Sequence, residues 1–279
     1  MRKTIRRMVS LASIAIFLVL GAIAPVAAYE VDIDDPNLFG PGEAWDVPLS
    51  MAPGASGPWV ERLQERLAQA GFRPGVRNGR FGQATLGAVY AFQKLHGLDR
   101  DGVFRVEQWD LLDTTVELPT LAQAPDRVEV DLSKQVLFLV KNQKVEAVLP
   151  ISSGNGATYR GSGGASVRAR TPEGDYRFYK RVEGWRISYL GGLYQPFYFR
   201  GGYAIHGSTS VPPYPASHGC VRVELPDMDF LTSQLELGMP VLVYGQRITR
   251  EDLLPPEPLP VRGVDTDRPI MGPWSPTTA

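Results

Sequence analysis

The chain has almost no cysteine: a single one, Cys220, occurs among 279 residues. An internal disulfide is therefore excluded as a means of holding the fold. Histidine is nearly as scarce, with three copies, and two of them, His206 and His218, lie within the fourteen residues before that cysteine. An excess of one charge is lacking too, since 29 Lys and Arg face 30 Asp and Glu. No basic patch argues for a nucleic-acid partner. No cysteine closes the apolar N-terminal run, so a lipid-anchored form has no acceptor thiol. A lone thiol kept in an exported chain is either buried and inert or functional, and composition alone does not choose.

What is present begins with an export signal. Arg2, Lys3, Arg6 and Arg7 form a positive head, and Leu11 to Ala24 is apolar apart from Ser13 and Gly21. Val26-Ala27-Ala28 then offers small residues to a peptidase, so residues 1–28 read as a signal peptide. The alternative is an uncleaved anchor, although the run is short for a permanent span. Either way the remainder is expected outside the cytoplasmic membrane, in the cell wall or periplasm, with membrane contact only through such an anchor. Removing the signal takes Lys and Arg from 29 to 25 against 30 acids, leaving a mildly acidic protein. About 250 residues remain, enough for two modest domains.

Residues 29–57 are rich in Gly, Pro and Asp and read as a linker. Periodicity starts after them. Val60, Leu63 and Leu67 share one face of a helix beginning at Pro58, and Gly71 is placed to stop it. Thr85, Val89, Phe92 and His96 mark a second helix over Gln83 to His96, and Val106 to Leu112 a short third. Asn78-Gly79-Arg80-Phe81-Gly82 and Asp101-Gly102-Val103-Phe104-Arg105 form a faint repeat. In each, a turn step where positive φ is cheap precedes a core Phe. With Leu63-Gln64, Thr85, Ala91-Phe92-Gln93 and Gly97-Leu98, residues 58–113 resemble the peptidoglycan-binding domain with a three-helix core. The second repeat departs from it, with Arg105 and Gln108 where Gly and Thr are usual. The competing reading is a small bundle that packs on its neighbour and binds nothing.

Pro119 to Pro125 reads as a hinge, after which the period switches to two. Val128, Val130 and Leu132 alternate with Glu129 and Asp131, and Gln135 to Val140 and Lys144 to Ile151 read as strands around a Lys141-Asn142-Gln143 turn. Ser152 to Ser166, with five glycines, reads as loop. Strands are expected around Tyr176 to Tyr179, Trp185 to Tyr189, Phe197 to Phe199 and Val241 to Tyr244, with one helix over Asp227 to Leu235. The fold class is thus α+β and multidomain: a small three-helix bundle, then a β-sandwich-like domain over 127–245. A Pro-rich tail, 246–279, follows.

A thiol attacks as thiolate, and an imidazole is the usual means of drawing off its proton. His206 ends a β-like run and precedes Gly207, whereas His218 stands two residues before Cys220. Spacing alone does not say which is the base. No acidic residue lies between His206 and Cys220 to orient a ring. His206, a loop, and then Ser217-His218-Gly219-Cys220-Val221-Arg222 resemble the active-site motif of the L,D-transpeptidases, the YkuD-type catalytic domain of bacterial wall enzymes. Thr171-Pro172-Glu173-Gly174 and the Val128 to Ile151 hairpin extend the resemblance, although the loop before Ser217 is shorter than in many members.

The resemblance implies that Cys220 is the nucleophile and His206 its base, the ring held by a backbone carbonyl near Gly207. Backbone N–H groups of Gly219 and Cys220, with His218 nearby, would then form the oxyanion hole. Arg222, Ser217 and Tyr189 are the implied substrate contacts, with Trp185 and Tyr194 as further groove candidates. Arg222 either binds a carboxylate or braces its loop. The implied reaction joins stem peptides 3→3 through a thioester, with no cofactor and no metal, and carbapenems would acylate the same thiol. The implied partners are peptidoglycan stem peptides and glycan.

Rival readings are an L,D-carboxypeptidase on the same tetrapeptide stems, a non-catalytic wall-binding protein, and a zinc site on His206, His218 and Cys220. A papain-like hydrolase is disfavoured, because there the cysteine precedes the histidine.

Overall fold

The computed structural model describes residues 47–114, 124–161 and 163–245. The expected signal peptide, residues 29–46 of the linker, most of the hinge and the 246–279 tail lie outside the described residues. The described residues, Val47 to Gly245, belong to one compact unit. No helix among the described residues is long and apolar enough to cross a membrane.

The N-terminal module holds β1 (Ser50–Met51), α1 (Pro58–Gln69), α2 (Gln83–Leu95), β2 (Phe104–Arg105) and a 3₁₀ helix over Val106–Asp113. Two α-helices and a 3₁₀ helix thus stand where three helices are expected. Residues 47–57 are more than a linker: β1 pairs with β2, Met51 is buried, and Gly57 N–H donates to the Gly79 carbonyl. Their Gly- and Pro-rich composition hid one buried side chain.

The faint repeat has a physical basis. Gln64 accepts from the Asn78 and Gly79 N–H groups and donates to the Arg80 carbonyl. Gln93 accepts from Gly102 N–H and donates to the Val103 carbonyl and to Asp101. Each buried amide clips one turn to one helix. Phe92 then stacks between Phe72 and Phe104, with ring centroids at 5.8 and 5.6 Å.

The second module comprises β3 (Arg127–Asp131), β4 (Val136–Lys141), β5 (Lys144–Pro150), β6 (Thr158–Arg160), β7 (Ser166–Arg168), β8 (Gly174–Arg177), β9 (Lys180–Arg181), β10 (Trp185–Ser188), β11 (Gly191–Arg200), β12 (Tyr203–Ser208), β13 (Val221–Glu224), α3 (Leu225–Gln234) and β14 (Pro240–Tyr244). One sheet runs β5-β4-β3-β14-β8, the other β10-β11-β12-β13 with β9 paired to β11. Asn142 and Gln143, both at positive φ (50° and 65°), make the two-residue turn between β4 and β5. The stretch expected to be loop over 152–166 contains β6, which pairs with β7. Three-residue strands amid glycines leave too little periodicity to read.

The two sheets face each other over Val128, Leu137, Leu139, Phe178, Phe197, Ile205, Val221 and Val223, with Met228 and Leu231 of α3 added. Alternation sends Val136, Phe138, Val140 and Val148 to the opposite face of the first sheet, where they join the core of the helical module. This explains why β4 reads as a continuous apolar run: both its faces are covered. Val148 N–H also donates to the Gly71 carbonyl at 2.9 Å, so the chain after α1 closes the β5 edge.

Charged groups line the same seam. Arg73 lies 3.4 Å from Asp227 with its guanidinium 3.6 Å from the Phe230 ring centroid, and Arg100 donates to the Pro213 carbonyl. Lys94 is fully buried and donates to the Ile151 carbonyl at 2.8 Å. Burial, then the Arg100 charge, push the Lys94 pKa down to about 7, against a smaller opposing pull from Glu224. From about pH 7 up to the unfolded value of 10.5, the unfolded chain binds more protons at this position, so stability rises with pH across that window. Denaturant midpoints measured across it should climb more steeply for the native protein than for Lys94→Met; parallel curves would contradict this account.

Candidate active site

β12 and β13 run parallel, with Ile205 beside Val221 and His206 beside Arg222. Ile205 and Val221 point into the core, so His206 and Arg222 share the opposite face. The same alternation puts Cys220 next to Ala204 on that face, and the Ala204 N–H points at the thiol. Residues 209–220 supply the crossover that parallel neighbours need.

The crossover is clamped from outside. Ala216 and Ser217 N–H groups donate to the Ser153 carbonyl at 3.0 and 2.9 Å, and Ser152 exchanges two backbone bonds with Arg222. The Thr171 hydroxyl accepts from Gly154 N–H and donates to the Gly219 carbonyl at 2.8 Å. The Ser217 hydroxyl donates to the Cys220 carbonyl at 2.6 Å and accepts from Gly219 N–H at 2.9 Å.

Gly219 N–H, expected as an oxyanion donor, donates to the Ser217 hydroxyl in this arrangement, and Gly219 has a backbone shape suited to glycine. Its φ is 135°, and a Cβ there would meet Tyr203 Cε1 at 2.6 Å and the Arg170 carbonyl at 2.9 Å. Ser217, expected as a substrate contact, borders the cavity described below but is 1% exposed, with its hydroxyl bonded within the turn.

His206 is buried, and its Nδ1 lies 2.9 Å from the Gly207 carbonyl. Nδ1–H therefore donates to that oxygen, leaving Nε2 with a free lone pair. Burial holds the His206 pKa down at about 4, the Gly207 bond opposing and Arg222 assisting. Burial pushes the Cys220 thiol up, offset in part by the Ala204 N–H and Arg222. Both shifts favour a neutral thiol and a neutral imidazole over an ion pair. In this resting arrangement the thiol donates to the Gly202 carbonyl at 3.7 Å.

Cys220, His206, His218, Ser217 and Arg222 line one cavity of about 250 Å³, together with Tyr159, Tyr198 and Tyr203. The His218 ring packs edge-on against Tyr159 at 4.8 Å, and burial lowers its pKa. Arg222 is half-buried and has no carboxylate partner among the described residues. Tyr189 does not line the cavity; it is 50% exposed, while its neighbours Ser188 and Leu190 form the wall. Trp185 and Tyr194 stack on each other at 5.2 Å, and Tyr194 donates to Asp229, away from the cavity. Tyr159, Tyr198 and Tyr203 were not singled out from the sequence, because only pairing across β11, β12 and the β6–β7 hairpin gathers them. No group of three or more His, Cys, Asp or Glu side chains among the described residues is placed to hold a metal.

Residues 125–243 match the L,D-transpeptidase catalytic domain family, and residues 56–112 match a peptidoglycan binding domain family. Among solved structures, an L,D-transpeptidase from Xylanimonas cellulosilytica is 42% identical, covering 71% of this chain and 98% of its own, with a TM-score of 0.67. An L,D-transpeptidase from Stackebrandtia nassauensis is 24% identical over 71% of this chain and 96% of its own, with a TM-score of 0.42. The comparison with curated proteins finds no match.

Proposed function

Because the chain belongs to the L,D-transpeptidase family, we propose that it joins peptidoglycan stem peptides 3→3 through a thioester on Cys220. The observation that carries this reading is the parallel β12–β13 pair. It sets His206 and Arg222 side by side, with Cys220 on the same face of one cavity. Sγ attacks the carbonyl carbon of the third stem residue, and the thiol proton passes to His206 Nε2. Collapse of the tetrahedral intermediate breaks the peptide bond, and the departing terminal D-alanine takes the proton from His206. The side-chain amine of a second stem's third residue then attacks the thioester, with His206 again receiving the proton and returning it to Sγ. The bond energy is conserved in the thioester, so no cofactor is required.

The Nδ1–H bond to Gly207 fixes the tautomer that this base role needs. Arg222, half-buried and without a carboxylate partner among the described residues, suits the stem's terminal carboxylate, which a planar guanidinium grips with two bonds. His218 and the Cys220 N–H flank the developing oxyanion. The helical module, a three-helix type whose third helix is the 3₁₀ segment, holds the wall glycan nearby, and the enzyme works outside the cytoplasm.

Incubation with a disaccharide-tetrapeptide followed by mass spectrometry tests the proposal. A dimer linked through a tripeptide donor is the expected product. Tripeptide monomer alone would replace it with a carboxypeptidase, and unchanged tetrapeptide over a reduced thiol would sink both.

A further inference from the structure

Tyr198 sits in β11, is 2% exposed and lines the cavity, yet its hydroxyl has no hydrogen-bond partner among the described residues. Buried hydroxyls without partners are rare, because nothing in the resting protein returns the lost hydration. Its place in the sheet is specific. Tyr198 pairs with Ala204 in the β11–β12 ladder, and Ala204 in turn lies beside Cys220. The three side chains share one face and one rung. Two strand spacings, about 9.6 Å, separate the tyrosine backbone from the cysteine backbone, and a tyrosine side chain covers most of that. Ala204 presents only a methyl group in between, and Cys220 is among the groups whose charge Tyr198 senses.

The rings of the other two tyrosines of the cavity have packing partners of their own. Tyr159 packs on His218, and Tyr203 lies against Gly219. The Gly219 N–H, a natural oxyanion donor by position, is held by Ser217. The Gly219 N–H is thus engaged while the Tyr198 hydroxyl is unmatched among the described residues.

We propose that the Tyr198 hydroxyl is a catalytic hydrogen-bond donor to the scissile carbonyl oxygen, completing the oxyanion site beside Cys220. The inference rests on the acyl-transfer reading above. As the C–S bond forms, the carbonyl π pair moves onto oxygen and the thiol proton moves to His206. Tyr198 O–H shares its hydrogen with that oxygen and keeps it. Burial pushes the Tyr198 pKa up to about 12, with Cys220 adding to the rise and Arg186 opposing, which keeps the hydroxyl protonated throughout. The substrate's carbonyl is then the partner the resting hydroxyl lacks.

Two reagents separate this role from a structural one. A carbapenem, like the tetrapeptide, acylates through a tetrahedral oxyanion, whereas iodoacetamide alkylates the thiol without forming one. In Tyr198→Phe, acylation by both the carbapenem and the tetrapeptide should slow by about 10²-fold, the effect of removing one oxyanion donor. Alkylation of Cys220 by iodoacetamide should hold within about twofold, since it gains nothing from that donor. Unchanged acylation overturns the proposal, and so does a parallel fall in acylation and alkylation, which would assign Tyr198 to the thiol or to the fold. Native protein that is alkylated but never acylated overturns the acyl-transfer reading itself, and the donor role with it.

Discussion

Cys220→Ser should abolish thioester formation and lower tripeptide dimer production by on the order of 10⁴-fold, with a circular dichroism spectrum that overlays the native one. The chain has no second thiol to take over. A serine hydroxyl is far harder to deprotonate, and the base here is weak: burial holds His206 at about 4. Such an imidazole accepts a proton only as the C–S bond forms, which works for a thiol and poorly for an alcohol. His206→Gln should lower the same rate by about 10²- to 10⁴-fold, the range for a positioned general base. It should also leave the thiol open to iodoacetamide. Mass spectrometry of the protein and of the dimer gives both readings. Native-like dimer yield from Cys220→Ser would remove the cysteine from the reaction.

Removing residues 1–114 should leave the remaining chain unable to unfold cooperatively. The helices cover Val136, Phe138, Val140 and Val148, each no more than 1% exposed. Exposing four such side chains forfeits roughly 1.5–3 kcal/mol apiece, a sum comparable to the roughly 5–15 kcal/mol that holds a typical domain together. The β5 edge would also lose its backbone bond to Gly71, and the Ile151 carbonyl its Lys94 donor. Calorimetry should show no cooperative transition for the shortened chain, and a hydrophobic dye should bind it. A sharp transition with native dimer production would show that the helical module is an independent attachment.

The two modules differ in how openly their sequences announce them. α1 and α2 are local, and the faces marked by Val60, Leu63 and Leu67 and by Thr85, Val89 and Phe92 are the buried ones. Cys220 is legible because its motif packs the lone thiol, a turn glycine and Arg222 into six residues, and His206 because histidine is so scarce. Residues that act across the fold gave no such signal. Thr171 belongs to a motif, but its hydroxyl bridges Gly154 and Gly219 only once β8 and the crossover are in place. Tyr198 reads as one more aromatic in a strand, and its rung with Ala204 and Cys220 is a property of strand pairing. Tyr189 is the converse: an aromatic the resemblance marks as a substrate contact, which stands half exposed between two wall residues. The seam between modules was hidden in β4, where an unbroken apolar run means two covered faces but does not say what covers the second.

The raised pKa of Cys220 has a bearing on durability. Peroxides and other oxidants react with thiolate, and an unfolded cysteine ionises near pH 8.5. Folding moves this thiol away from that form, so the native protein presents less of the species that oxidants consume. With no neighbouring cysteine, a sulfenic acid here would have no resolving partner within the chain and would proceed toward irreversible forms. The same burial that makes this thiol reluctant to ionise also shields it from loss.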